Sequence, residues 1–128
     1  VMQAFLPALQ RRRGAVVNVA SVNGVRAAAQ AAVYSASKFA LVGLTRNAAL
    51  DHGKSGVRIN AVCPGPVDTE MLHASSGGAA GVTVLAALTP LGRAGTPRDV
   101  AGTVAGLCSE DAAYVHGTTV VVDGGLSA

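Results

Sequence analysis

Three short apolar runs constrain this chain more than any other feature: residues 15–19 (AVVNV), 57–62 (VRINAV) and 118–122 (TTVVV). None alternates strictly between apolar and polar residues, as a strand with one wet face would. Each has the length of a strand, and together they are rich in valine. That is the pattern of strands buried on both faces of a parallel sheet. The segments between them carry helical signals. A helix is expected over 1–9, with Pro7 as a kink point, and Gly14 closes the connection after it. A longer helix is expected over 33–51, closed by Gly53 and Gly56. A third begins at Thr96, which can cap it, with Pro97 in its first position and Asp99 returning a hydrogen bond. Val100, Val104, Leu107 and Cys108 form its expected buried stripe. Strand, helix, strand, helix, strand predicts a right-handed parallel α/β layer about three strands wide.

Pro64-Gly65-Pro66 turns the chain off the sheet after the second strand. The stretch 71–88 holds Ser75, Ser76, Gly77, Gly78 and Gly81, which disfavour a rigid helix, so a mobile segment with some helix is expected there. At 128 residues the chain suffices for one domain, and with half of its residues hydrophobic it can bury a core. Alanine and glycine abound while aromatics are scarce, which suits small-residue helices packed closely on strands. Ala36, Ala40 and Gly43 make one such face on the long helix.

The net charge is +3, and Arg11-Arg12-Arg13 carry much of the excess. No aromatic residue is interleaved with them, so they read as a solvated turn before a strand, and no nucleic-acid partner is expected. Cys63 and Cys108 lie far apart without metal-ligand spacing, and His52, His73 and His116 are scattered. No metal site is expected, and a reduced, cytoplasmic protein fits this cysteine usage. No apolar run approaches the length of a membrane span, so no membrane partner is expected either.

The chemistry concentrates in Tyr34-Ser35-Ala36-Ser37-Lys38. In a helix, Tyr34 and Lys38 project from the same side, one turn apart. A free phenol titrates near ~10, and a neighbouring ammonium favours the phenolate. Such a pair can give a proton to a carbonyl oxygen or take one from an alcohol. Y-x-x-x-K alone is a weak signal, and its context strengthens it. Ser21 follows the first apolar run, at the carboxyl end of a parallel strand, where ligands of open α/β sheets gather. Its hydroxyl can donate to the same substrate oxygen; the alternative role for such a serine is to cap a turn.

Further motifs follow in order: Asn60-Ala61-Val62-Cys63-Pro64-Gly65-Pro66-Val67-Asp68-Thr69, then Pro90 to Pro97 (PLGRAGTP), then Val121-Val122-Asp123-Gly124-Gly125. With Asn18-Val19-Ala20-Ser21 and Tyr34 to Lys38, the chain resembles the compact branch of the short-chain dehydrogenase/reductase family, over essentially its whole length. The resemblance implies a Rossmann-type α/β sheet, present here as its C-terminal part, so that residues 1–128 would be the latter part of a single NAD(P)-binding domain. It implies hydride transfer between NAD or NADP and a ketone or secondary alcohol. Tyr34 matches the general acid/base, and Lys38 the residue that binds the nicotinamide ribose and activates the tyrosine. Ser21 matches the residue that polarises the substrate oxygen. Pro64, Gly65, Val67 and Thr69 match the loop beside the nicotinamide, with the Val67 backbone and the Thr69 hydroxyl on the carboxamide. Asn18 matches a position near the cofactor, with anchorage of the strand end as its other reading.

The segment 71–88 matches the family's variable substrate lid. A homodimer or homotetramer is implied for the complete enzyme. The family's Gly-rich first turn, its Asn-Asn-Ala-Gly strand and the helix asparagine of its proton relay have no counterpart in these residues. The isolated chain is therefore expected to bind nicotinamide cofactor weakly and to be inactive, with an open sheet edge along its first strand. The alternative reading is a catalytically inactive fragment that serves as an oligomerisation or interaction module, its small-residue helix face packing on a copy of itself. An epimerase or dehydratase of the extended branch fits the 64–69 loop less well, and no G-x-S-x-G elbow supports a serine hydrolase.

Overall fold

The computed structural model describes residues 2–128. Val1, the first residue of the helix expected over 1–9, lies outside the described residues. The elements run α1 (Met2–Arg12), β1 (Ala15–Val19), α2 (Ala32–His52), β2 (Arg58–Pro64), α3 (Glu70–Ser76), α4 (Ala79–Leu88), α5 (Pro97–Cys108) and β3 (Thr119–Val122). One-turn 3₁₀ helices stand at Val22–Gly24, Gly53–Ser55 and Glu110–Ala112. The strands form one sheet in the order β1-β2-β3. Both pairings are parallel, with Val19 opposite Val62 and Cys63 opposite Val121. This is an α/β, Rossmann-like partial sheet.

The expectation of strands buried on both faces holds for β2 alone. Ile59, Asn60, Ala61, Val62 and Cys63 are all at 0% exposure. Successive strand residues point to opposite faces, so both faces of β2 are covered. β1 is half-buried, and Val19 at its end is 51% exposed. As outer strands of the three, β1 and β3 each have a neighbour along one edge only among the described residues. α2 and α5 both pack on β1 and β2. Met2 and Leu9 of α1 cover a cluster of Ala48, Ala49, Val57 and Ile59.

Polar side chains lock this centre. Asn60 Nδ2 donates to the Val115 carbonyl (2.9 Å), and its Oδ1 accepts from Thr118 N (3.1 Å). His116 Nδ1 accepts from Ile59 N (3.1 Å), so Nε2 carries the ring proton and donates to the Ala49 carbonyl (2.8 Å). That imidazole ties β2 to the last turns of α2. Arg58 donates to the carbonyls of Leu107 (2.7 Å) and Ser109 (3.0 Å), where α5 leaves its acceptors unpaired.

Three local expectations are corrected. Arg11 and Arg12 form the last turn of α1 instead of a free turn, and favour that end of the helix dipole. Arg13 then takes a left-handed φ of 50°, and Gly14 N returns to Leu9 O at 2.9 Å. Cys108 is exposed; Leu107 is the buried residue of α5, and its successor points about 100° further round the helix. The stretch 71–88 is two helices, bent by 94° at their junction. Gly77 and Gly78 there have φ of 85° and 84°, so the glycines turn the corner between the two helices. The Thr96 cap, its reciprocal Asp99 bond and Pro97 are as expected. Among the described residues, no single helix is long and apolar enough to cross a membrane; α3 and α4 pass that test together by length and composition, across their bend.

Candidate active site

The carboxyl end of β1 sets the first part of the site. Ala20 N still reaches Val62 O (2.8 Å), so the chain leaves the sheet at Ser21. Ser21 is buried, with extended backbone, and its Oγ accepts from Asn23 N at 3.1 Å. Ser21 thus does cap the turn Val22–Gly24, and among the described residues its hydroxyl hydrogen is given to no acceptor. The cap role and a donor role coexist, because a hydroxyl accepts and donates separately.

Tyr34 and Lys38 lie on α2. The inward stripe of that helix is Ser35, Val42, Thr45 and Ala49, spaced to face the sheet. Tyr34 stands beside this stripe at 44% exposure. Lys38 reaches back along the helix to the end of β1, where Nζ donates to the Val19 carbonyl at 3.3 Å. The same ammonium lies 5.6 Å from the centre of the Tyr34 ring. Tyr34 and Lys38 are therefore brought together. Ser21 is joined to them through main chain: Lys38 bonds Val19, two residues before it, and Gly24, three residues after it, packs against the Lys38 backbone. Among the described residues no hydrogen bond links the Ser21 and Tyr34 hydroxyls directly.

Beneath this group lies Cys63, in a cluster with Ala20 and Val42. Burial pushes its thiol up, and the Ser21 backbone with the charges of Lys38 and Arg46 offsets part of that rise. Asn18 Nδ2 donates to Thr45 Oγ1 (2.8 Å), which donates to Leu41 O (2.7 Å). Asn18 therefore anchors the strand to α2, the second of its two expected roles.

The loop after β2 forms the other part. Pro64 ends the strand, and Gly65 N donates to Val122 O at 3.0 Å. A Cβ on Gly65 would come within 2.8 Å of the Asp123 Cα, so only glycine lets this loop lie against β3. Val67 and Gly95 form a parallel bridge, in which Gly95 N donates to Pro66 O and Asp68 N to Gly95 O, both at 2.8 Å. In such a bridge the main-chain groups of Val67 itself point away from Gly95. Thr69 Oγ1 donates to Val67 O (3.1 Å) and accepts from Leu72 N (3.3 Å), capping α3. The Val67 N–H has no partner among the described residues. A hollow of about 240 Å³ flanks this loop, lined by Pro66, Val67, Gly95, Val122 and Asp123, and includes none of Ser21, Tyr34 or Lys38.

Sequence reasoning left Gly24, Arg58 and His116 without roles. Their function is contact across long separations, which no local pattern displays. Gly24 alone carried a local hint, as a glycine in the turn after Ser21.

Comparison with known proteins places the chain in a family. The family model for enoyl-(acyl carrier protein) reductase matches residues 1–127. Meso-2,3-butanediol dehydrogenase of Serratia marcescens is 44% identical over 124 residues, covering 96% of this chain and 48% of that protein. The crystal structure of levodione reductase superposes with a TM-score of 0.91 at 37% identity, over 97% of this chain and 51% of that one. A 4-hydroxyisoleucine dehydrogenase complexed with NADH superposes with a TM-score of 0.82 at 31% identity, over 98% of this chain and 52% of that one. The chain spans about half the length of the curated relatives it matches. With the family model matching all but its last residue, the chain belongs to the short-chain dehydrogenase/reductase family.

Proposed function

We propose that these 128 residues are the proton-transfer and nicotinamide-side part of a single NAD(P)-binding domain, in an oxidoreductase that interconverts a ketone and a secondary alcohol. The observation that carries this reading is the placement of Lys38: its ammonium is held on the Val19 carbonyl at the sheet's carboxyl end, 5.6 Å from the Tyr34 ring. In reduction Tyr34 gives its phenolic proton to the substrate oxygen; in oxidation it takes the alcohol proton. Lys38 supplies positive charge to the phenolate and, with its remaining ammonium hydrogens, donors for the ribose hydroxyls. Ser21, whose hydroxyl hydrogen is uncommitted, donates to the same substrate oxygen and fixes its direction.

The residues present fit a nicotinamide. The Val67 main chain offers an unpaired N–H and a carbonyl on one side of the loop, a pairing complementary to a carboxamide. Thr69 Oγ1 stands beside that carbonyl, and Pro64 and Gly65 hold the loop against β3. When bound, NAD or NADP accepts or supplies the hydride. The isolated chain binds that cofactor weakly on this reading. The bent pair α3–α4 follows the loop directly in the chain, and on this reading it is the substrate lid.

The test is Tyr34→Phe in a full-length protein carrying this chain, assayed with a panel of ketones and secondary alcohols. Turnover should fall by about 10²–10⁴-fold, with cofactor affinity within twofold of the parent. Near-normal turnover would remove Tyr34 from the reaction.

A further inference from the structure

We infer that Gly24 is a positioning residue: its missing side chain sets how closely the Ser21 turn sits on the Lys38 turn of α2. The inference rests on the proposed roles of Ser21, Tyr34 and Lys38. A Cβ built at Gly24 would lie 2.8 Å from the Lys38 carbonyl oxygen, 2.9 Å from its carbonyl carbon and 3.3 Å from its Cβ. Two of these three atoms are main chain, so no rotamer change relieves the overlap. Gly24 is buried, and its φ lies outside the left-handed region. Its identity is therefore demanded by proximity, not by backbone conformation.

That proximity matters because both sides are otherwise fixed. Gly24 N donates to Ser21 O at 2.8 Å, so the turn moves with Ser21. Ala20 N, bonded to Val62 O, fixes the strand end just before it. On the helix side, Asn18 holds α2 at Thr45, about two turns beyond Lys38, and His116 holds its far end at Ala49. A side chain at position 24 must then lift the Ser21 turn or push out the first turns of α2, where Tyr34 and Lys38 stand. Either movement changes the separation between the Ser21 hydroxyl and the Tyr34–Lys38 pair. By contrast, a Cβ on Gly102 of α5, an exposed position, meets no atom within 4 Å.

The experiment compares Gly24→Ala, Gly102→Ala and Tyr34→Phe in a full-length protein carrying this chain. In Gly24→Ala, kcat should fall by at least ~10-fold, as displacement of a reacting group on the ångström scale does. Its cofactor Kd should rise by less than kcat falls, because the 64–69 loop is untouched and only the Lys38 contact with the ribose is shifted. Gly102→Ala should keep its parent's kcat. A folded Gly24→Ala protein with unchanged kcat overturns the inference, as does a loss confined to cofactor Kd. If Tyr34→Phe also keeps its turnover, the functional reading itself has failed; if Tyr34→Phe is inactive and Gly24→Ala is not, only the role of Gly24 has. Should Gly24→Ala not fold, hydrogen exchange in the unaltered protein decides. A Gly24 amide protected together with α2 supports a docked turn, and one that exchanges freely while α2 is protected overturns it.

Discussion

The Lys38 ammonium lies 5.6 Å from the centre of the Tyr34 ring and donates to the Val19 carbonyl at 3.3 Å, so one side chain couples the helix residue to the end of β1. Lys38→Met removes the charge and that hydrogen bond while keeping an apolar stem of similar reach. In the complete enzyme it should lower turnover by about 10²-fold or more and weaken cofactor binding as well, since the ammonium serves both. Steady-state kinetics with a separate cofactor titration distinguishes this from Tyr34→Phe, in which affinity is kept.

Thr69 serves two partners, the Leu72 N–H and the Val67 carbonyl. Thr69→Val keeps the shape and deletes both bonds. Loss of the helix cap should cost about 1 kcal/mol of stability, read from the urea midpoint. Cofactor Kd in the full-length protein should rise several-fold, because the Val67 carbonyl loses the hydroxyl that orients it. A lower midpoint with unchanged Kd would confine Thr69 to capping.

The two thiols should react at very different rates. Cys108 is exposed, while Cys63 is at 0% exposure and burial pushes its thiol up. A thiol reagent at neutral pH should label one cysteine quickly and the second only when the chain unfolds. Rapid double labelling would mean that the β2–α2 contact opens easily.

Acid should act on the helix start at Asp99. The Arg93 guanidinium, the Thr96 N–H and the Thr96 hydroxyl hold its carboxyl far below the usual carboxylate range. A carboxyl depressed in the folded state contributes stability that is present above its unfolded value, near about 4, and lost as pH falls through the lower folded value. Asp99→Asn should therefore be less stable than its parent at pH 7. The gap should narrow as pH falls below the ordinary carboxylate range, and narrow in high salt because the pair is exposed. Urea midpoints across pH, at two salt concentrations, measure it.

The sheet and the Tyr34–Lys38 pair were legible because their signals are local. A valine-rich run marks a strand wherever it falls, and four residues mark one helical turn. The Thr96–Asp99 cap was legible for the same reason: all of its atoms lie within one turn. What stayed hidden depends on the far side of a contact. The exposure of Val19 follows from the strand order, and that of Cys108 from the rotation of α5 against the sheet. Nothing in Gly77-Gly78 shows that the chain turns a corner between two helices until the positive φ values are seen. His116 looked like an isolated histidine, though it meets residues 57 and 67 positions away. Its replacement by alanine would leave the Ile59 N–H unpaired, while the Ala49 carbonyl keeps the Gly53 N–H, with a loss of about 1–3 kcal/mol in the urea-derived stability.

The central claim is that Ser21 and Tyr34 act as one unit on a single substrate oxygen, and the kcat of the double variant Ser21→Ala/Tyr34→Phe tests it most directly. Groups that act together are non-additive when removed. Each single variant should lose about 10²–10⁴-fold, and the double variant should be no slower than Tyr34→Phe alone. A double variant whose loss equals the product of the two single losses would show two independent residues and contradict the account.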